Sequence, residues 1–130
     1  MYYKIEETEI IGGLRLLPGE VVELAFSFHA EVKGLFGGRH ADDRNDNKLY
    51  FTNMRVIRLE RATYRIAPYK DIIYYKVGKH GGGVEQWALT PGVTINLPGE
   101  SFSSRFELPM EEKYLIDVEY QLAKHVFKDC

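Results

Sequence analysis

Four histidines, His29, His40, His80 and His125, and one cysteine, Cys130, are the residues of this 130-residue chain best suited to nucleophilic or metal chemistry. They stand on different predicted segments, and no serine, threonine or cysteine is spaced to pair with a histidine as nucleophile and base. The chain has no G-x-S-x-G elbow, no H-E-x-x-H pair, no G-x-x-x-x-G-K-S/T loop and no G-x-G-x-x-G opening a helix. Metal ligands need not be sequential, so a small metal-dependent enzyme built on His40, His80 and the carboxylates of Asp42, Asp43 and Asp46 remains a third reading. The stretch Asp43-Arg-Asn45-Asp-Asn47 is similar to the start of an EF-hand loop, but Lys48 replaces the turn glycine and no glutamate follows at the right distance. Residues 78–83, Gly-Lys-His-Gly-Gly-Gly, offer backbone N–H groups and Lys79 to an anion. Without a following helix they lack the dipole of a phosphate loop, and a hairpin connection fits them better. The leading expectation is therefore a chain with no catalytic residue, no metal and no cofactor.

Charge points elsewhere. The net charge of −2 hides an uneven distribution: residues 48–80 carry eight basic against two acidic side chains, whereas 1–31 carry two against six and 81–130 four against eight. If Arg61-Ala62 is a two-residue turn, Arg58 falls opposite Arg65 and Ile57 opposite Ile66. Facing arginines repel unless an anion or carboxylate offsets them. Arg58, Arg65, Lys70 and Lys76, with Lys33 and Arg39 from the segment before them, are the candidate anion- or lipid-binding residues. The structural alternative is a soluble outer face that keeps strand edges apart. Nucleic acid is not expected, because the aromatic residues of 48–80 are needed for a core and both chain ends are acidic.

The elements that must position these residues read as short strands followed by one helix. Val22, Leu24, Phe26, Phe28, Ala30 and Val32 alternate with polar or small residues, the period of a half-buried strand. Further strands are predicted at 48–60, 63–67, 72–77, 84–89, 93–97 and 102–108, punctuated by Gly and Pro, which gives six to eight antiparallel strands in a sandwich or barrel. Pro109 suits a first helical turn, and the helix is predicted over 109–128. Leu115, Val118, Leu122 and Val126 form one apolar stripe; Ile116, Tyr120, Ala123 and Phe127 form an adjoining one. Together they are wider than one side of a core requires. Either the second stripe contacts another subunit, or the helix is sunk between the barrel and an N-terminal extension, 1–17, that covers it. Residues 33–47 form the only long loop, at a length where a connection is usually functional.

With 45% apolar residues, the chain suffices for one domain, 1–130, with one core. One cysteine excludes an internal disulfide framework and a four-cysteine zinc site. No run approaches the roughly 18 apolar residues of a membrane span, and the start lacks the basic and apolar regions of a signal peptide. A cytoplasmic location is expected, with Cys130 a free thiol on a frayed tail.

Three segments carry a resemblance. Leu17-Pro18-Gly19-Glu20-Val21-Val22, then Phe51-Thr52-Asn53-Met54-Arg55, then Ile66-Ala67-Pro68-Tyr69-Lys70-Asp71-Ile72 resemble the bacterial pleckstrin-homology-like domains, which typically carry "GE", "FTNKR" and "IPYKSI" at these places. The resemblance spans residues 14–127, and the chain departs from it in the 33–47 loop, at Ala67 and in the 78–83 glycine stretch. It implies a mainly β domain, a bent antiparallel barrel of two nearly orthogonal sheets capped by one C-terminal helix. It also implies an assembly module that forms symmetric rings, of otherwise unassigned role. Eukaryotic pleckstrin domains bind phosphoinositides near the loop joining their first two strands. Here that loop pairs Lys33, Arg39, Arg44 and Lys48 with three aspartates, a net charge of only +1. The expected function is thus a non-enzymatic interaction module that self-associates through Ile116, Tyr120, Ala123 and Phe127. The alternative is binding of an acidic lipid or acidic protein surface through the basic strands and the 33–48 loop.

Overall fold

The computed structural model describes residues 2–10, 14–28, 31–33, 39–41, 47–60, 63–80, 90–99 and 104–126, with backbone alone for 31–33, 39–41, 79–80 and 90. Strands β1 (Tyr2–Ile5), β2 (Val22–Phe28), β5 (Lys48–Thr52), β6 (Arg55–Glu60) and β7 (Thr63–Pro68) form a five-stranded antiparallel sheet in the order β1-β2-β5-β6-β7. Strands β8 (Tyr74–His80), β9 (Thr90–Asn96) and β10 (Arg105–Pro109) form a second antiparallel sheet with β9 in the middle. Between β2 and β5 lies a small hairpin of β3 (Glu31–Lys33) and β4 (Arg39–Ala41). Helix α1 (Glu112–Val126) closes the molecule.

The main core lies between the sheets and under the helix. Phe26, Leu49, Phe51 and Val56 from the first sheet meet Val93, Ile95, Phe106 and Leu108 from the second, with Val118 and Leu122 from α1. Phe26 packs edge-on against both Phe51 and Tyr114, the geometry that ring quadrupoles favour. A second, smaller cluster covers the opposite face of the five-stranded sheet, where Ile10, Leu14 and Leu16 pack on Ala25, Tyr50 and Ile57.

Several sequence expectations are corrected here. The N-terminal segment covers the outside of the first sheet rather than the second stripe of the helix, and its first residues form a strand. Ala25 and Ser27 are accordingly buried, so β2 is covered on both faces instead of being half-exposed. The 48–60 stretch is two strands, because Asn53 and Met54 reverse the chain between Thr52 and Arg55. Pro109 ends β10 and leaves the helix to begin at Glu112. A proline is tolerated there because β10 is an edge strand. Pro91-Gly92 lies within β9 rather than in a turn. Gly92 is opposite Gly78 and Pro109, and a Cβ on it would stand 2.8 Å from the Leu108 carbonyl oxygen, so β10 passes too close to β9 for a side chain there. Part of the 33–47 segment, read as one loop, is strand β4. Three-residue strands are too short to show a period. The strand expected at 84–89, the start of that at 102–108 and the helix beyond Val126 lie outside the described residues.

Candidate functional site

The three motif segments meet at one end of the first sheet and hold each other by polar side chains. Leu17-Pro18-Gly19-Glu20 is a turn closed by the Glu20 N–H on the Leu17 carbonyl at 2.9 Å. Pro18 supplies its fixed φ, and Gly19 the φ of +78° that the next position requires. The Asn53 side chain hooks this turn to the β5–β6 reversal, accepting from the Val21 N–H (2.9 Å) and donating to the Gly19 carbonyl (3.1 Å). The Glu20 side chain is fully buried. It accepts from Arg55 Nε (2.8 Å) and Nη2 (3.0 Å), from Thr52 Oγ1 (2.6 Å) and from the Leu17 N–H (2.8 Å). Burial pushes its carboxyl up, but the hydrogen bonds from Arg55, Thr52 and Leu17 and the Arg55 charge outweigh that, so it titrates below the usual carboxylate range.

A second polar cluster fixes the helix. The β2–β5 ladder pairs Val22 with Thr52 and Leu24 with Phe51, leaving Glu23 as the extra residue of a bulge. A bulge turns a side chain off its regular face, and Glu23 points at α1. It accepts from Gln121 Nε2 (2.7 Å), Lys124 Nζ (3.0 Å) and His125 Nε2 (2.7 Å). Burial opposes its charge, and these partners outweigh burial, so its pKa is also lowered. Buried Gln121 also donates to the Thr52 carbonyl and to the Tyr69 hydroxyl, while Tyr69 donates to the same carbonyl at 2.7 Å. His125 stacks on the Tyr69 ring, with centroids 4.8 Å apart. With His125 held between Glu23 and Tyr69, the cluster acts as a clamp and presents no nucleophile or unengaged base.

The clamp determines which helical face looks outward. Val118, Gln121 and Leu122 are buried, while Ile116 is 72% and Tyr120 70% exposed, and Ala123 beside them is exposed as well. Phe127, the fourth member of that stripe, lies outside the described residues. Beside the ridge runs a groove of about 490 Å³ between β1, β2 and α1, bordered by Lys4 and Lys124 on one hand and Glu23 and Asp117 on the other. Within one copy these charges pair as Lys4 with Asp117 (3.7 Å) and Lys124 with Glu23 (3.0 Å).

The candidate cations are distributed differently. Arg58 and Arg65 are register partners, as the two-residue turn predicts. Both lie on the core-facing side of the first sheet. The Arg58 Nε–H donates to the Tyr2 hydroxyl (3.1 Å), with Glu60 3.9 Å away. Arg65 lies 4.7 Å over the Phe106 ring and donates to the Arg105 carbonyl. Burial raises the Tyr2 hydroxyl pKa, only partly offset by Arg58. Lys70, in the 3-10 turn Tyr69–Asp71, and Lys76 on β8 are exposed. Lys33 and Arg39 face each other across the β3–β4 hairpin. The structure thus brings Arg58 to Arg65 and Lys33 to Arg39, but does not gather all six. The side chains of the metal candidates His40, His80, Asp42, Asp43 and Asp46 lie outside the described residues, and no group of three metal-ligating side chains occurs among those described.

Sequence reasoning missed both clamps, because Glu20 and Arg55 are 35 residues apart and Glu23 and His125 are 102 apart. One signal was available: Gln121 is a polar residue inside an otherwise apolar helical stripe.

Comparison with solved structures decides the fold. A crystal structure of a DUF1696 family protein with a pleckstrin-homology domain from Shewanella loihica PV-4 superposes with a TM-score of 0.58, covering 86% of this chain and 84% of that one at 14% identity. The chain has a pleckstrin-homology-like fold. Two antiparallel sheets and one C-terminal helix are the architecture that the motif resemblance implies. No family model and no curated protein matches the sequence. Among the described residues no helix is long and apolar enough to cross a membrane. In this PH-like fold β1 is an edge strand beside β2, and it brings Lys4 to the groove along α1.

Proposed function

We propose that this PH-like domain is a non-enzymatic interaction module that self-associates through the outer face of α1. The fold supports an interaction module, and PH-like domains are generally non-catalytic. The observation that carries the reading is the exposure of Ile116 and Tyr120 on a helix whose orientation is fixed by the Glu23 clamp. Two large apolar side chains one turn apart make a ridge, and the adjoining groove makes a complementary hollow. A two-fold contact needs a patch that complements itself. Ridge beside groove, and the cations Lys4 and Lys124 beside the carboxylates Glu23 and Asp117, support such a patch. The small side chain of Ala123 allows close approach. Light scattering over a concentration series tests the reading: masses at multiples of 15.0 kDa support it, and a strict monomer at high concentration ends it.

A second reading rests on the basic positions Lys33 and Arg39, which are register partners in the β3–β4 pairing. It makes the hairpin, with Lys70 and Lys76, a surface for acidic lipid or acidic protein. Liposome sedimentation with and without phosphatidylserine tests it. Binding that is indifferent to lipid charge, or to Lys33→Glu with Arg39→Glu, counts against it.

A further inference from the structure

A cleft of about 450 Å³ lies where the motif segments meet the end of α1. It is at the Thr52 end of β5, and neither Ile116 nor Tyr120 lines it. Its walls are apolar, from Leu17, Met54, Pro68 and Val126. Leu17 (48% exposed) and Met54 (37%) are among the large apolar side chains that remain wet in the single chain. Every ionisable acid or base lining the cleft other than Tyr69 is basic: Arg55, Lys70 and His125. Arg55 is ion-paired with Glu20, and the His125 ring is hydrogen-bonded to Glu23, so both are already engaged. Lys70 is exposed and makes no ion pair among the described residues, leaving one uncompensated cation at an apolar slot.

We infer that this cleft binds a small soluble carboxylate with an apolar body. The apolar part would lie against Met54 and Pro68, and the carboxylate would meet the Lys70 ammonium at the rim. The volume is that of a small-molecule site, which typically runs from about 300 to 1,000 Å³. A protein partner would need roughly 800 Å² of surface on this side, far more than the cleft offers. Methionine suits such a wall, because its unbranched side chain adapts to the ligand's shape. The walls come from rigid turns held by Asn53 and Glu20, so little ordering accompanies binding.

The test is an amide-resolved NMR titration of the full chain with 4-phenylbutyrate and, separately, with the neutral 4-phenylbutan-1-ol. A ligand of about a dozen heavy atoms should bind with a dissociation constant on the order of 1 mM. Saturable shifts are expected at the amides of Met54, Tyr69, Lys70 and Val126, with the alcohol binding at least about threefold more weakly. Lys70→Ala, at an exposed position, should weaken the carboxylate by about threefold and leave the alcohol unchanged. Met54→Trp, also at an exposed position, should fill the slot and weaken both ligands. Equal affinity for acid and alcohol, shifts confined to other regions, or no saturable shift up to roughly 10 mM would each overturn the inference, as would unchanged binding to Met54→Trp with an unaltered melting curve.

Discussion

Removing the Glu20 carboxylate leaves the Arg55 guanidinium largely buried, with only the Arg15 carbonyl among its described acceptors. Breaking one side of a buried pair costs about 3–5 kcal/mol, more than the pair itself contributes over an apolar replacement. Glu20→Ala is therefore expected to lower the urea midpoint by that equivalent, and Glu20→Gln, which keeps some hydrogen bonds, by less. The pH dependence has a definite sign. Glu20 and Glu23 both titrate below their ordinary value of 4.5 in the fold, so the unfolded chain binds more protons than the native state as the medium acidifies. Their contribution is complete above about pH 4.5 and is lost as pH falls through the lowered values. Thermal melts from pH 7 to pH 3 should show a flat midpoint followed by a decline, and Glu20→Gln should make the decline shallower. A variant as acid-sensitive as the native chain would assign the decline to other carboxylates. These partners were not legible in the sequence, where Glu20 stood in the GE motif with no role attached and Glu23 read as a polar position within a strand.

Among elements, legibility followed the range of the interaction. The β6–β7 register, with Arg58 opposite Arg65, followed from period-two patterning and one assumed turn, because a hairpin is a local structure. The β5–β6 reversal did not, since Asn53 and Met54 carry no glycine signal and the turn is made by side-chain bonds. Thr52 Oγ1 accepts from the Met54 and Arg55 N–H groups. The covering of β2 by Ile10 and Leu14 was likewise invisible, because it brings together segments with no common period. Pro91-Gly92 was read as a turn because that dipeptide usually is one, whereas Gly92 serves the close approach of β9 and β10. Gly92→Ala is expected to destabilise by at least about 1–3 kcal/mol, the cost of forcing a methyl group against backbone that cannot yield, measured by urea denaturation. At the helix clamp, Tyr69→Phe removes the short bond to the Thr52 carbonyl and the long one from Gln121, but Gln121 keeps its bonds to that carbonyl and to Glu23, so a loss of about 1 kcal/mol is expected. A much larger loss would mean that Gln121 loses its other bonds when the Tyr69 hydroxyl is removed.

For the whole molecule, the opposed stripes of α1 are the link from packing to function. The width of the apolar face was legible in the sequence, and its two alternatives differed only in what covered the second stripe. The N-terminal segment lies on the first sheet, so Ile116 and Tyr120 are left exposed in the single chain. Substitution at positions so exposed ordinarily changes monomer stability by no more than about 0.5 kcal/mol, which separates assembly from folding. The most direct measurement is sedimentation velocity on the double variant Ile116→Glu with Tyr120→Glu beside the unsubstituted chain at equal concentration. The account predicts an oligomer for the unsubstituted chain and a 15.0 kDa species for the variant, with superimposable thermal melts. An unchanged sedimentation coefficient in the variant would contradict it.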